Sequence, residues 1–148
     1  MSLLQQIDQD LVKALKSGDR LAADTLRGLK SDIKYFQLEK RLDEVSDEDI
    51  TGVISSSAKR RRDSIEQFKA GGRQDLVDKE TRELEIVQKY LPEQLSEADI
   101  EQIVKEAVEE TGAQSPADMG KVMKVVMPKF KGRADGKLVQ KIVTRTLS

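Results

Sequence analysis

Residues 91–99 read LPEQLSEAD, and this stretch predicts how the 148-residue chain divides. Pro92 ends the helix before it, because proline disfavours a helical conformation in the preceding residue. Ser96 and Asp99 then have the spacing of a capping box, which starts a new helix. We therefore place a domain boundary in this link. The expected domains are residues 1–92 and residues 93–148.

Apolar residues recur at helical spacing on both sides of the link. Leu4, Ile7 and Leu11 define a first amphipathic helix, and Gly18 ends it. Ser46 begins a capping box for a later helix. The pattern predicts an all-α fold with two small helical domains, an N-terminal four-helix part and a C-terminal three-helix bundle.

Two further start signals lie in the C-terminal part. Ser115 precedes Pro116, which is favoured at the first position of a helix, and Asp135 can cap the last helix. Met119, Met123 and Met127 follow at a spacing of four residues, and we expect all three in the core. We expect the neighbouring Gly120 to allow close approach of another helix.

The composition favours helices and narrows the possible chemistry. Charged residues make up 36% of the chain and aromatic residues 3%, and there is no cysteine, histidine or tryptophan. A thiol nucleophile, a Cys/His zinc site and an imidazole base are therefore excluded. The chain also lacks a GxxxxGK[ST] phosphate-binding loop. From the sequence we assign no catalytic residue, no metal ligand and no cofactor.

Cellular location is predicted from the lack of targeting signals. No apolar run approaches the roughly 20 residues that cross a bilayer. The N-terminal stretch MSLLQQIDQDLVKAL lacks the basic start and cleavage site of a signal peptide. Without cysteine there is also no sign of an oxidising compartment. We therefore expect a cytoplasmic protein that does not associate with a membrane.

The charge of the C-terminal part is strongly divided. Residues 93–110 carry seven acids and one lysine, a net charge of −6, whereas residues 118–148 carry eight bases and two acids, a net charge of +6. Such a basic stretch can bind a polyphosphate. It can equally be neutralised by the acidic helix 97–110 within one bundle. The residues alone do not choose between these two interpretations.

A possible ion pair links two consecutive helices of the N-terminal part. Arg61 and Glu80 interrupt the apolar stripes of helices joined by Gly71 and Gly72. In an antiparallel hairpin, Arg61 lies opposite the turn that carries Glu80 and Glu83. The favoured interpretation is a partly buried ion pair that sets the register of the hairpin. The alternative is a site that recognises an anion.

Three segments resemble a known family, and the resemblance extends over nearly the whole chain. They are KRRRDSIEQFKAGGRQDL at 59–76, YLPEQLSEADI at 90–100 and DMGKVMKVVMPKFKGRADGKLV at 118–139. The chain resembles the YqeY family of small bacterial proteins. The C-terminal domain of that family is similar to the tail domain of GatB, a subunit of the glutamine-dependent amidotransferase that acts on misacylated tRNA.

The resemblance implies an all-helical, two-domain protein linked to tRNA amidation. Its first implication is a non-catalytic module that binds tRNA or associates with amidotransferase subunits. An alternative is a carbon–nitrogen ligase with glutamine as amido-N-donor, acting with partner subunits. A second alternative is a helical protein–protein adaptor. The residues expected to bind RNA are Lys121, Lys124, Lys131, Arg133 and Lys137.

Overall fold

The computed structural model describes the whole chain, Met1–Ser148, and all of its regular structure is helical. The all-α prediction is therefore confirmed. A short 3-10 helix, Pro116–Asp118, accompanies seven α-helices. These are α1 Leu3–Ser17, α2 Arg20–Glu39, α3 Asp47–Ala70, α4 Gln74–Gln88, α5 Glu97–Thr111, α6 Met119–Phe130 and α7 Gly136–Leu147. The chain divides into two compact units, Met1–Leu91 and Pro92–Ser148.

Capping boxes start three of these helices, α1, α3 and α5, and the sequence predicts those at α3 and α5. At α3 the Ser46 hydroxyl accepts from the backbone N–H of Asp49 at 3.1 Å, and the Asp49 carboxylate accepts from the N–H of Ser46. Ser96 and Asp99 exchange the same two bonds at α5. Each box satisfies backbone donors that have no partner within the helix.

The start of α6 differs from its prediction. Ser115 precedes the 3-10 helix but its side chain makes no capping bond. The carboxylate of Asp118 accepts instead from the backbone N–H of Gln114 at 3.0 Å. This bond joins residues on either side of Pro116 and so closes the turn that precedes α6. Asp135 does cap α7, where its carboxylate accepts from the backbone N–H of Lys137.

The N-terminal unit is built on the hairpin of α3 and α4, with α1 and α2 packed against it. Gly72 has a φ of +70°, which allows the tight turn between the two long helices. The apolar stripes of all four helices meet in one cluster. Its buried members include Ile7, Leu26, Leu29, Ile33, Ile50, Ile54, Ala58 and Val87.

In the C-terminal unit each of α5, α6 and α7 contacts the other two. The core includes Ile100, Val104, Val122, Val126, Phe130, Val139, Ile142 and Val143.

Two expectations for α6 fail. Met119 and Met123 pack against the core, but Met127 is 40% exposed, because Val126 and Phe130 already fill the buried side of its turn. A Cβ atom on Gly120 would meet nothing within 4 Å, so this glycine does not admit a neighbouring helix.

No helix of the chain combines the length and the apolar character that crossing a bilayer requires.

Candidate nucleic-acid interface

The basic residues of α6 lie on its outer face because the opposite face is the core. Val122, Val126 and Phe130 recur every four residues and are fully buried or nearly so. Lys121 and Lys124 are exposed on the other side of the helix. Their separation from the buried stripe follows from the 3.6-residue period.

The same division places basic residues of α7 and of the preceding turn in solvent. α7 buries Val139, Ile142 and Val143 and exposes Lys137 and Lys141. Between the two helices Lys131 and Arg133 flank Gly132, whose φ of +73° allows the chain to turn. All five residues predicted to bind RNA are exposed. They lie on α6, on the turn and at the start of α7.

The backbone of that turn is held by the link that precedes α5. The amide of Gln94 donates to the carbonyl of Gly132 at 2.8 Å, and the N–H of Leu95 donates to the carbonyl of Arg133 at 2.9 Å. These bonds orient the segment that presents Lys131 and Arg133. Sequence analysis missed them, because the partners are 38 residues apart and a glutamine in a link has no distinguishing pattern.

Ion pairing separates the bases of this unit into two groups. Arg145 lies 3.1 Å from a carboxylate oxygen of Glu97 and 2.5 Å from one of Glu101, so it neutralises part of the acidic helix α5. Lys121 lies 3.9 Å from Asp118. Among residues 118–148, the bases that form no ion pair within the chain are Lys124, Lys129, Arg133 and Lys141.

The negative charge of Asp118 reduces the net positive charge around Lys121. The hydrogen bond from the Gln114 backbone, with a smaller contribution from the charge of Lys121, holds the pKa of Asp118 below its ordinary value. Asp118 is therefore ionised at neutral pH and offsets part of the charge of Lys121. Lys124 has no such neighbour, so its charge is not offset within the chain.

The structure brings Arg61 together with both carboxylates that the sequence placed opposite it. Its Nη1 atom contacts the carboxylate of Glu83 and lies 3.5 Å from that of Glu80. The side chain of Arg61 is 20% exposed, that of Glu83 is 13% exposed and that of Glu80 is 22% exposed. One guanidinium with two carboxylates disfavours a bound anion. The role of the cluster in stability remains a prediction.

A second polar contact in the N-terminal unit was not predicted. The hydroxyl of Tyr90 donates to the carboxylate of Asp10 on α1, and the Lys89 ammonium lies 3.4 Å from the same oxygen. Burial and then the bond to Asp10 raise the pKa of Tyr90 well above its ordinary value. Burial opposes ionisation of Asp10, but the Tyr90 hydroxyl and Lys89 outweigh it and lower the pKa of that carboxyl.

No group of three or more Asp, Glu, His or Cys side chains has the arrangement of a metal site.

Comparison with known proteins gives a consistent family. The family described as Yqey-like protein matches residues 4–147. The chain is 33% identical over 145 residues to "Altered inheritance of mitochondria protein 41, mitochondrial" of Pyrenophora tritici-repentis, covering 94% of this chain and 77% of that protein. Proteins of the same name are 33% identical in Lachancea thermotolerans and 34% identical in Saccharomyces cerevisiae. Those two matches cover 75% and 68% of this chain, and 60% and 55% of the relatives.

These relatives correct the expected location. The prediction of a cytoplasmic protein is wrong on this comparison, because the curated relatives are named mitochondrial proteins. It rested on the lack of an export signal and of cysteine. Neither feature distinguishes the cytoplasm from a mitochondrial compartment. The relatives are fungal, so a bacterial source remains a prediction.

Proposed function

This chain belongs to the YqeY family, and we propose that it acts as a helical module that binds tRNA and carries no complete catalytic site of its own. The proposed RNA-binding surface consists of the outer face of α6, the turn that follows it and the outer face of α7. Its residues are Lys121, Lys124, Lys129, Lys131, Arg133, Lys137 and Lys141.

One observation supports this proposal above the others. Lys124, Arg133 and Lys141 are exposed and form no ion pair within the chain, while the acidic helix α5 engages Arg145. Positive charge that the protein does not neutralise internally favours contact with phosphate groups. The net charge of +6 over residues 118–148 therefore has an external role in this proposal.

The experiment is the salt dependence of tRNA affinity. If about three of these bases contact phosphates, the slope of log K against log salt is roughly −2 to −3, because each contact releases counterions. Changing Lys124, Arg133 and Lys141 together to alanine should flatten the slope and leave the helical circular dichroism unchanged. A slope that the triple variant retains would overturn the proposed surface.

A matched control uses the base that the protein neutralises itself. Arg145→Ala also removes one positive charge from α7, but its charge is already offset by Glu97 and Glu101. We expect it to change the slope much less than a single alanine at Lys124 or Lys141. A second variant, with Lys121, Lys131 and Lys137 changed to alanine, tests the remaining predicted residues.

We propose amidotransferase subunits as the protein partners of the module, supported by the resemblance of the C-terminal domain of the family to the tail domain of GatB. Amidation of misacylated tRNA by the other subunits, measured with and without this chain, tests the association. If adding the chain changes neither the amidation rate nor the affinity of the other subunits for tRNA, the helical adaptor is favoured. If the other subunits amidate only in the presence of this chain, the carbon–nitrogen ligase is favoured.

A further inference from the structure

A groove between α2 and α3 of the N-terminal unit lies outside the surface proposed above. One end, of about 220 Å³, is lined by Tyr35 on α2 and Gly52 on α3, among others. The other end, of about 260 Å³, includes Gly28 on α2 and Ser57 on α3. Asp32 and Arg60 line both ends and form an ion pair at 3.0 Å, which lies between the two ends.

Two glycines of this groove have no structural reason to be glycine. Gly28 and Gly52 lie in the interiors of α2 and α3, where glycine costs about 1 kcal/mol relative to alanine. A Cβ atom at either position would meet no heavy atom within 4 Å, and neither residue has a positive φ. What both glycines do is keep the groove open.

The Gly28 end contains polar groups that lack a partner. Ser57 is 3% exposed and its hydroxyl forms no hydrogen bond within the chain. The Nε of Arg61 is buried and also has no hydrogen-bond partner. Both residues line the same end of the groove. The Ser57 hydroxyl can donate to, or accept from, a ligand in this end of the groove, whereas the Arg61 Nε is closed to solvent.

The Gly52 end offers an aromatic surface. Tyr35 is 69% exposed, although a tyrosine ring in solvent forgoes most of its burial energy. Phe36 and Val53 line the same end, next to the space that Gly52 leaves. A flat group can therefore stack on Tyr35 and enter the groove beside it.

Charge and size narrow the class of ligand. The carboxylates of Asp32, Glu39 and Glu80 line the groove against the two guanidiniums of Arg60 and Arg61, so its lining has a net charge of −1. That disfavours a phosphate group. A neutral planar ligand with both donors and acceptors on its edge fits the charge and the exposed ring. Each end is too small for the continuous apolar face of a partner helix, and the Gly28 end is lined mostly by polar side chains.

We propose that the α2–α3 groove holds an unpaired nucleobase of single-stranded RNA, stacked on Tyr35 with its polar edge in the groove. The inference rests on the proposed RNA binding and adds a base-recognising site to the phosphate-binding surface of the C-terminal unit. The phosphates of such a strand face solvent, away from the carboxylates of the groove.

The test compares RNA affinity of full-chain variants over a range of salt concentrations, with tRNA and with an unstructured RNA strand as probes. Tyr35→Ala should weaken binding by about 5- to 150-fold, the range for loss of one stacked base. The slope of log K against log salt should stay unchanged, because stacking releases no counterions. Gly52→Leu, whose Cβ meets no heavy atom within 4 Å and whose longer side chain occupies the groove, should weaken binding similarly.

Matched controls separate stacking from general damage. Leu38→Ala truncates an equally exposed side chain one turn from Tyr35 that does not line the groove, and it should leave affinity unchanged. Tyr35→Phe should retain affinity. Tyrosine fluorescence gives a second signal, since the chain has two tyrosines and no tryptophan. RNA should quench Tyr35, and the quenching should disappear in Tyr35→Phe.

The two proposals fail in different ways. Wild-type affinity in both Tyr35→Ala and Gly52→Leu, with the normal salt slope, overturns the groove proposal alone and leaves the groove to a protein segment. Loss of affinity in these variants while the C-terminal triple variant still binds normally overturns the basic surface alone. A wild-type chain that binds neither probe and shows no quenching overturns both.

Discussion

Arg61 on α3 contacts the carboxylate of Glu83 on α4, across the hairpin that forms the centre of the N-terminal unit. Glu80 lies one turn earlier on α4, 3.5 Å from the same guanidinium nitrogen. Both carboxylates are mostly buried, and Glu83 is the less exposed of the two, at 13%. The register of α3 against α4 therefore places a mostly buried charged cluster between the two helices.

Arg61→Ala should lower the free energy of unfolding by about 1–3 kcal/mol. Removing one partner of a buried ion pair costs roughly 3–5 kcal/mol, and partial exposure reduces that value. In double-mutant cycles with Glu80→Gln and Glu83→Gln, measured by denaturant unfolding, the coupling to Glu83 should be the larger. Coupling near zero with both glutamates would show that the cluster does not stabilise the hairpin.

Tyr90→Phe should destabilise the protein by about 1–2 kcal/mol at neutral pH. The hydroxyl donates to an ionised carboxylate, and such bonds contribute roughly 1.5–3 kcal/mol, reduced here because Asp10 is 23% exposed. Tyr35→Phe is the matched control, because the hydroxyl of Tyr35 makes no hydrogen bond within the chain.

The effect of Tyr90 should depend on pH in a defined direction. The pKa of Asp10 is lowered in the folded chain, relative to an ordinary value of 3.8, by the Tyr90 hydroxyl together with the facing Lys89 and Lys13, against the effect of burial. The contact therefore stabilises the protein above pH 3.8 and weakens as the pH falls through the folded-state value. Unfolding free energies of wild type and Tyr90→Phe should converge in acid. A constant difference would contradict this assignment.

Ser96→Ala should cost about 1 kcal/mol of stability, because the hydroxyl caps α5 by accepting from the backbone of Asp99. Ser115→Ala is the matched comparison in the same unit. Its side chain makes no capping bond, so its effect should stay within about 0.5 kcal/mol. Thermal unfolding of the two variants decides the point, and equal losses would mean that the capping box at α5 contributes little.

The isolated chain should release no ammonia from glutamine. It has no cysteine or histidine, and the hydroxyl of Ser57, within a run of three serines, has no base in hydrogen-bond contact. Ammonia release by protein free of contaminating amidotransferase would contradict this expectation. Loss of that activity in Ser56→Ala or Ser57→Ala would then identify a serine amidase.

The order of the helices and several of their ends could be predicted from the sequence, because those signals are local. A capping box joins residues three apart, so Ser46 and Ser96 could be recognised from their neighbours alone. The placement of Arg61 opposite Glu80 and Glu83 needed only helical spacing across one glycine turn. The prediction that Ser115 caps a helix was wrong. Its neighbour Asp118 makes the local side-chain bond instead, to the backbone N–H of Gln114.

Contacts between distant segments depend on how the helices pack, and no local pattern encodes them. Asp10 and Tyr90 are 80 residues apart, and Gln94 meets Gly132 across 38. Whether a base of α7 pairs with α5 or stays in solvent depends on which face of α7 packs against α5. The open space at Gly28 and Gly52 arises where α2 and α3 pass each other, since a glycine leaves room only if no neighbour fills it.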